Sequence, residues 1–254
     1  MSFKVTFLGT GTSQGVPVIA CKCKVCRSLN PKDKRLRTSV LLQLDHLNII
    51  VDSGPDFRYQ VLRSGIQKLD AILFTHEHRD HIAGLDDVRS FNFLQKRAMP
   101  IYGNDKVLEH IRREFHYVFE SKYPGIPQLE IHQINSNPFK IENVLITPIS
   151  VLHHKLPVFG FRIKDFTYIT DANTIPDKEF NKILGTKILV LNALQKDNHI
   201  SHFTLDEALN VIDIIQPEKA YLTHISHNMG LHDNVSKELP SNVKLAYDGL
   251  SFNA

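Results

Sequence analysis

Residues 71–81 read AILFTHEHRDH. An apolar run of buried-strand length enters a loop that carries His76, His78, Asp80 and His81, four metal-capable side chains within six residues. Neutral imidazole and carboxylate are the usual protein ligands of zinc, manganese and iron. Positions 76, 78 and 80 cannot all serve one ion if position 81 turns the other way, so the loop offers ligands to two neighbouring ions. A polar surface loop is the bland alternative, and four such residues at this spacing argue against it.

Working outward, further donors sit at the ends of strand-like runs. SVLHHK (150–155) follows the run NVLITPIS and holds His153 and His154. YITDAN (168–173) holds Asp171, YLTHIS (221–226) holds His224, and VDSG (51–54) holds Asp52. NHISHFTLDEA (198–208) adds His199 and His202 just before an amphipathic helix, TLDEALNVIDIIQ, which opens on a capping box of Thr204 and Glu207. Taken singly, each of these is weak evidence. CKCKVC (21–26) contains all three cysteines of the chain, Cys21, Cys23 and Cys26. An odd, clustered count fits a disulfide framework poorly and reads as a metal site whose fourth ligand lies elsewhere. Lys22 and Lys24 argue against simple burial of that stretch.

The remaining runs suggest one α/β domain over 1–254, with two strand-rich halves and no linker. Strands are expected at 3–8, 38–44, 47–54, 143–150, 159–163, 166–171, 187–193 and 219–226, with one closing run at 243–252. Helical periodicity covers 105–119, and 115–139 reads as a loop over a site or a surface connection. GTGTSQG (9–15) lacks the Gly-Lys-Ser/Thr ending of a phosphate-binding loop and the spacing of a dinucleotide fingerprint, so it is read as a tight turn. A formal net charge of +3 is too small to argue for nucleic acid or a membrane. The N-terminus shows no signal-peptide pattern and no stretch has the length of a membrane span, so the expected compartment is the cytoplasm.

The His-x-His-x-Asp-His pattern at 76–81 resembles the metallo-β-lactamase superfamily. The resemblance implies a four-layer αβ/βα sandwich with two divalent ions, manganese or zinc, between its sheets. It implies His76, His78 and His153 on one ion, Asp80, His81 and His224 on the other, and Asp171 bridging; His154 competes with His153. Asp52 stands where the family has an acidic residue that can orient a ligand. LGTGTSQGVPVIACKCKVC, THISH (223–227) and YDGL (247–250) are similar to the phosphoribosyl cyclic phosphate phosphodiesterase family. That likeness implies a structural zinc on Cys21, Cys23, Cys26 and His227, a closed tetrahedral set.

It also implies hydrolysis of a small, cyclic phosphodiester through a hydroxide bridging the ions, with His202 and Asp80 as catalytic residues. His202 would serve as general acid, with His199 as the alternative. A homodimer and a small phosphorylated substrate are expected, with Arg79, Lys155 and Lys196 the nearby cations for a second phosphate. DANTIPDKEF (171–180) and NALQKDNHISH (192–202) depart from the family pattern and leave the substrate open. The competing readings are a tRNA 3′-end-processing ribonuclease, a lactone or thioester hydrolase, and a zinc-stabilised binding module without activity. No basic arm speaks for the ribonuclease, and no expected ligand is missing to speak for the inactive module.

Overall fold

The computed structural model describes residues 3–121 and 123–254. The first half of the chain supplies β1 (Phe3–Gly9), β2 (Ser39–Leu44), β3 (Leu47–Val51), β4 (Ala71–Leu73), β5 (Met99–Gly103) and β6 (Leu129–Gln133). The second supplies β7 (Phe139–Ile141), β8 (Val144–His153), β9 (Leu156–Ile163), β10 (Phe166–Ile169), β11 (Ile188–Asn192), β12 (Lys219–Thr223) and β13 (Val243–Leu245). The last strand, β14 (Ser251–Asn253), returns to the first sheet beside β1. The sheet orders are β14-β1-β2-β3-β4-β5-β6 and β13-β12-β11-β10-β9-β8-β7. In both sheets an antiparallel part joins a parallel part, at β3 in the first and β10 in the second.

Helices cover the outer faces: α1 (Phe57–Ser64), α2 (Arg79–Ile82), α3 (Arg89–Gln95), α4 (Asp105–Glu114) and α5 (His116–Glu120) follow strands of the first sheet. Strands of the second sheet are followed by α6 (Asp177–Ile183), α7 (Leu205–Ile215) and α8 (His232–Val235). Strand alternation sorts the apolar residues into layers. Ile49 and Val51 pack between the sheets against residues such as Phe161 and Tyr168, while Ile50 points outward to Phe57 and Ile111. In β11, Val190 faces the other sheet, and Leu189 and Leu191 face the inner side of α7. The result is the expected four-layer αβ/βα sandwich. The capping box of α7 is formed, with Thr204 Oγ1 accepting from the Glu207 N–H.

Three sequence expectations change. The stretch 115–139, read as a loop or surface connection, contains β6, which pairs in parallel with β5 at the edge of the first sheet. The helix expected over 105–119 breaks at Phe115 (φ −110°, ψ 36°), whose ring packs on the outer cluster of the first sheet; α5 beyond it buries no residue. The single closing run at 243–252 is two strands in different sheets. Asp248, between them, accepts from the Leu36 N–H at 2.8 Å and the Thr10 hydroxyl at 2.7 Å, which draws the chain from one sheet to the other. No described helix is long and apolar enough to cross a membrane.

Candidate metal centre

Parallel strands place their carboxyl ends on one edge, where α/β sheets build sites. Asp52 follows β3, the histidine loop follows β4, Asp171 follows β10, and His224 follows β12. Asp52, Asp171 and His224 all take left-handed backbone, at φ 63°, 57° and 56°. This region is sparsely used by residues other than glycine, and clusters of it mark functional sites.

Asp52 is fully buried and organises one side of the centre. It accepts from the Thr75 N–H (2.9 Å), the Thr75 hydroxyl (2.8 Å) and His81 Nδ1 (2.7 Å). Because the Thr75 hydroxyl donates to Asp52, its oxygen is left to accept from His76 Nδ1 at 3.0 Å. His153 Nδ1 donates to the Ser201 carbonyl at 2.9 Å. With each Nδ1 donating, Nε2 is the nitrogen that His76 and His153 turn to the cleft with a lone pair, and that of His81 can bind an ion once the ion takes the place of its proton; fixing the ring orientation in this way is the usual work of groups behind a metal ligand. Burial pushes Asp52 up, and the adjoining His81 partly reverses it.

The donors fall into groups whose ligand atoms lie within 4.8 Å of one another: His76, His78 and His153; Asp80, His81, Asp171 and His224; and His153, Asp171 and His202. Asp171 sits between the sets, its Oδ1 3.0 Å from His224 Nε2 and its Oδ2 3.3 Å from His81 Nε2. The Thr170 hydroxyl steadies it at 2.7 Å. Among the described residues, His76 Nε2, His81 Nε2 and both nitrogens of His224 are buried with no hydrogen-bond partner. Buried polar atoms are seldom left so, and converging imidazole nitrogens around carboxylates suit divalent cations. Burial opposes every charge here. Yet Asp171, Asp80 and Asp52 hold His81 well above the usual range, and His224 and His81 hold Asp171 well below it.

Among the alternatives, His153 enters the cluster, while His154 is exposed, at φ 55°, outside every donor group among the described residues. His202 is nearly buried, with its ring centroid 4.5 Å from His153 and 4.7 Å from His224. His199 is exposed, 5.1 Å from His202 ring to ring. Of the nominated cations, Arg79 pairs with Glu114 and Lys196 with Glu238, and Lys155 is exposed. Thr75 and Asn192 carry no mark in the sequence of the work they do. Asn192 clamps the turn after Asp171, accepting from the Ala172 N–H and donating to its carbonyl, both at 2.8 Å.

Cys21, Cys23 and Cys26 surround His227, their Sγ atoms 3.3, 3.5 and 3.5 Å from its Nδ1. A zinc tetrahedron with Zn–S of about 2.3 Å and Zn–N of about 2.0 Å has an S···N edge of about 3.5 Å. The four residues therefore fit that ion. The Cys26 N–H donates to Cys23 Sγ and the Val18 N–H to Cys26 Sγ. The Cys26 N–H leads in drawing Cys23 down to about 6, while burial pushes Cys26 up to about 11.

A close backbone approach supports the histidine loop. A Cβ on Gly54 would lie 2.0 Å from the Asp80 carbonyl oxygen. Gly54→Ala must therefore displace the segment that carries Asp80 and His81. It is expected to lose about 1–3 kcal/mol in urea unfolding, the usual range for overpacking, and to weaken metal retention against a chelator. Unchanged retention would mean that the loop relaxes without moving its donors.

A family profile described as the β-lactamase superfamily domain matches residues 47–225. An octanoyltransferase of Porphyromonas gingivalis is 39% identical over 247 residues, which is 96% of this chain and 50% of that protein. Ribonuclease Z of Nostoc punctiforme is 28% identical over 167 residues, 64% of this chain and 47% of that protein. The chain thus spans about half the length of both curated relatives. Among solved structures, a diphosphatase from the PhnP family superposes with a TM-score of 0.95 at 38% identity, over 100% of this chain and 98% of that one.

Proposed function

The chain belongs to the metallo-β-lactamase superfamily, and from that premise we propose that it is a metal-dependent hydrolase that cleaves a phosphodiester in a small, cyclic molecule. The observation that carries the proposal is the pair of donor sets meeting at Asp171, with His202 beside them. His76, His78 and His153 would hold one ion, Asp80, His81 and His224 the other, with Asp171 between; manganese or zinc suits these ligands. Cys21, Cys23, Cys26 and His227 would hold a structural zinc. When bound, the two ions supply a water-derived nucleophile at neutral pH and polarise the phosphoryl oxygens.

The chain's own residues do the rest. Asp52 and Thr75 hold His81 and His76 in the donor tautomer. The Asp80 carboxylate, which His81 holds below the usual range against burial, stays charged and would accept a hydrogen bond from the incoming water. His202 donates to the oxygen that leaves. Burial and the neighbouring His224 press its ring down to about 2, and the negative charge of a phosphoryl group beside it acts in the opposite direction.

The likeness to a diphosphatase favours a second reading, cleavage of a phosphoanhydride in a small diphosphate. Octanoyl transfer is not carried over, because half of that relative lies outside the match. The ribonuclease reading has thinner support, at 28% identity over 64% of the chain. The test is a panel of metal-loaded protein with bis(p-nitrophenyl) phosphate, a ribose cyclic phosphodiester, a dinucleoside diphosphate, precursor tRNA and a lactone. Turnover of the cyclic ester, abolished by chelator, is the expected result. Opening of the lactone with both phosphodiesters untouched would overturn the proposal.

A further inference from the structure

Asn173 lies two residues beyond Asp171, and it reaches two loops at once. Its Oδ1 accepts from the His154 N–H at 3.0 Å, and its Nδ2 donates to the Ile200 carbonyl at 3.0 Å. Its own N–H donates to the Leu152 carbonyl at 2.9 Å. Beside these, His153 Nδ1 donates to the Ser201 carbonyl at 2.9 Å and the Phe203 N–H to the Ala172 carbonyl at 2.8 Å. The segment that carries His202 is thus tied down at residues 200, 201 and 203. Apolar packing does not replace these ties at its outer end, where Ile200 is 71% exposed.

We propose that Asn173 is a positioning residue that locks the turn bearing His153 to the loop bearing His202, and so sets the spacing of those two rings. The inference rests on the roles proposed for His153 and His202. Through Oδ1 it fixes the turn immediately after His153. Through Nδ2 it fixes the loop two residues before His202. Asn192 works differently, since it is fully buried and clamps only the peptide of Ala172. Half-exposed Asn173 is the member of the pair that can be removed without opening the core.

The test compares wild type, Asn173→Ala and Asn173→Asp, where Asp keeps the acceptor for His154 and loses the donor to Ile200. Three readouts are taken: amide exchange at His154 and residues 199–203, zinc retention against a chelator, and kcat and KM on the cyclic phosphodiester. For Asn173→Ala we expect at least tenfold faster exchange in both segments, and a kcat lower by about 10–100-fold with KM little changed, the usual range for a group behind a ligand. Zinc retention in the two-ion site should fall, and the melting temperature should stay near wild type. Asn173→Asp should protect His154 alone. Faster exchange with unchanged kcat and zinc retention would reduce Asn173 to a loop cap and overturn the proposal, as would unchanged exchange. If the wild type turns over no phosphodiester, the functional reading fails by itself, and exchange with zinc retention still decides the role of Asn173.

Discussion

His202→Ala is expected to lower kcat by about 10²–10⁴-fold on a substrate whose leaving group is an alkoxide, the range for loss of a positioned general acid. On bis(p-nitrophenyl) phosphate the loss should be less than about tenfold, because p-nitrophenolate leaves without a proton. The geometry supports this split. His202 Nδ1 is 3.9 Å from Asp171 Oδ1, too far for a hydrogen bond, and it has no other partner among the described residues. The ring is held through its backbone neighbours, not through its own nitrogens. Removing it should leave the ion-holding residues in place, and metal content should match wild type. An equal loss on both substrates together with loss of metal would instead make His202 a ligand, a role its closeness to His153 and Asp171 permits chemically.

What could be read in the sequence divides along physical lines. Buried strands such as LNIIV, parallel to β4, and KILVLNA, parallel on both sides, announce themselves as apolar runs. The histidine loop announces itself because donors must be dense where ions sit. β5 was not legible, since MPIYG carries Pro100 in a strand flanked by β4 and β6, and proline in such a place argues against a strand. The break at Phe115 depends on which ring reaches the core, which periodicity alone does not encode. Asn173, Asn192 and Thr75 act through hydrogen bonds to loops distant in sequence, so nothing in their own surroundings marks them. YDGL stood out only through its family likeness. The structure supplies the reason: Asp248 holds Leu36 and Thr10, and Arg35 donates to Thr10, to the Ala246 carbonyl and to His232 beside it.

His227→Ala is expected to release one zinc per chain and loosen residues 16–34, while the two-ion site stays loaded. Beyond the Val16–Arg35 bridge at its base, that loop is tied by single side-chain bonds such as Lys34 Nζ to the Cys26 carbonyl and Asn30 Nδ2 to Asp233. Its small apolar cluster contains Val16, Val25 and Cys26 as its buried members, and Ile19 and Leu29 are 93% and 97% exposed. In zinc-finger peptides a structural zinc supplies about 10–16 kcal/mol of apparent binding energy that is also folding energy. The unfolding should stop near Arg35, whose guanidinium is fully buried and bonded to three partners, and near Asp33, which accepts from the His232 N–H at 2.7 Å. It should also spare His224, three residues from the lost ligand. The Ile225 N–H donates to the Thr10 carbonyl at 2.8 Å and the Ser226 N–H to the Leu194 carbonyl at 2.9 Å, so that strand end is fastened without zinc. The signature is therefore a local opening. Proteolytic cuts should fall within 16–34, metal analysis should show the loss of one ion, and turnover should survive at a reduced level. Loss of all metal and all turnover in a folded variant would show instead that the cysteine loop is part of the reaction centre.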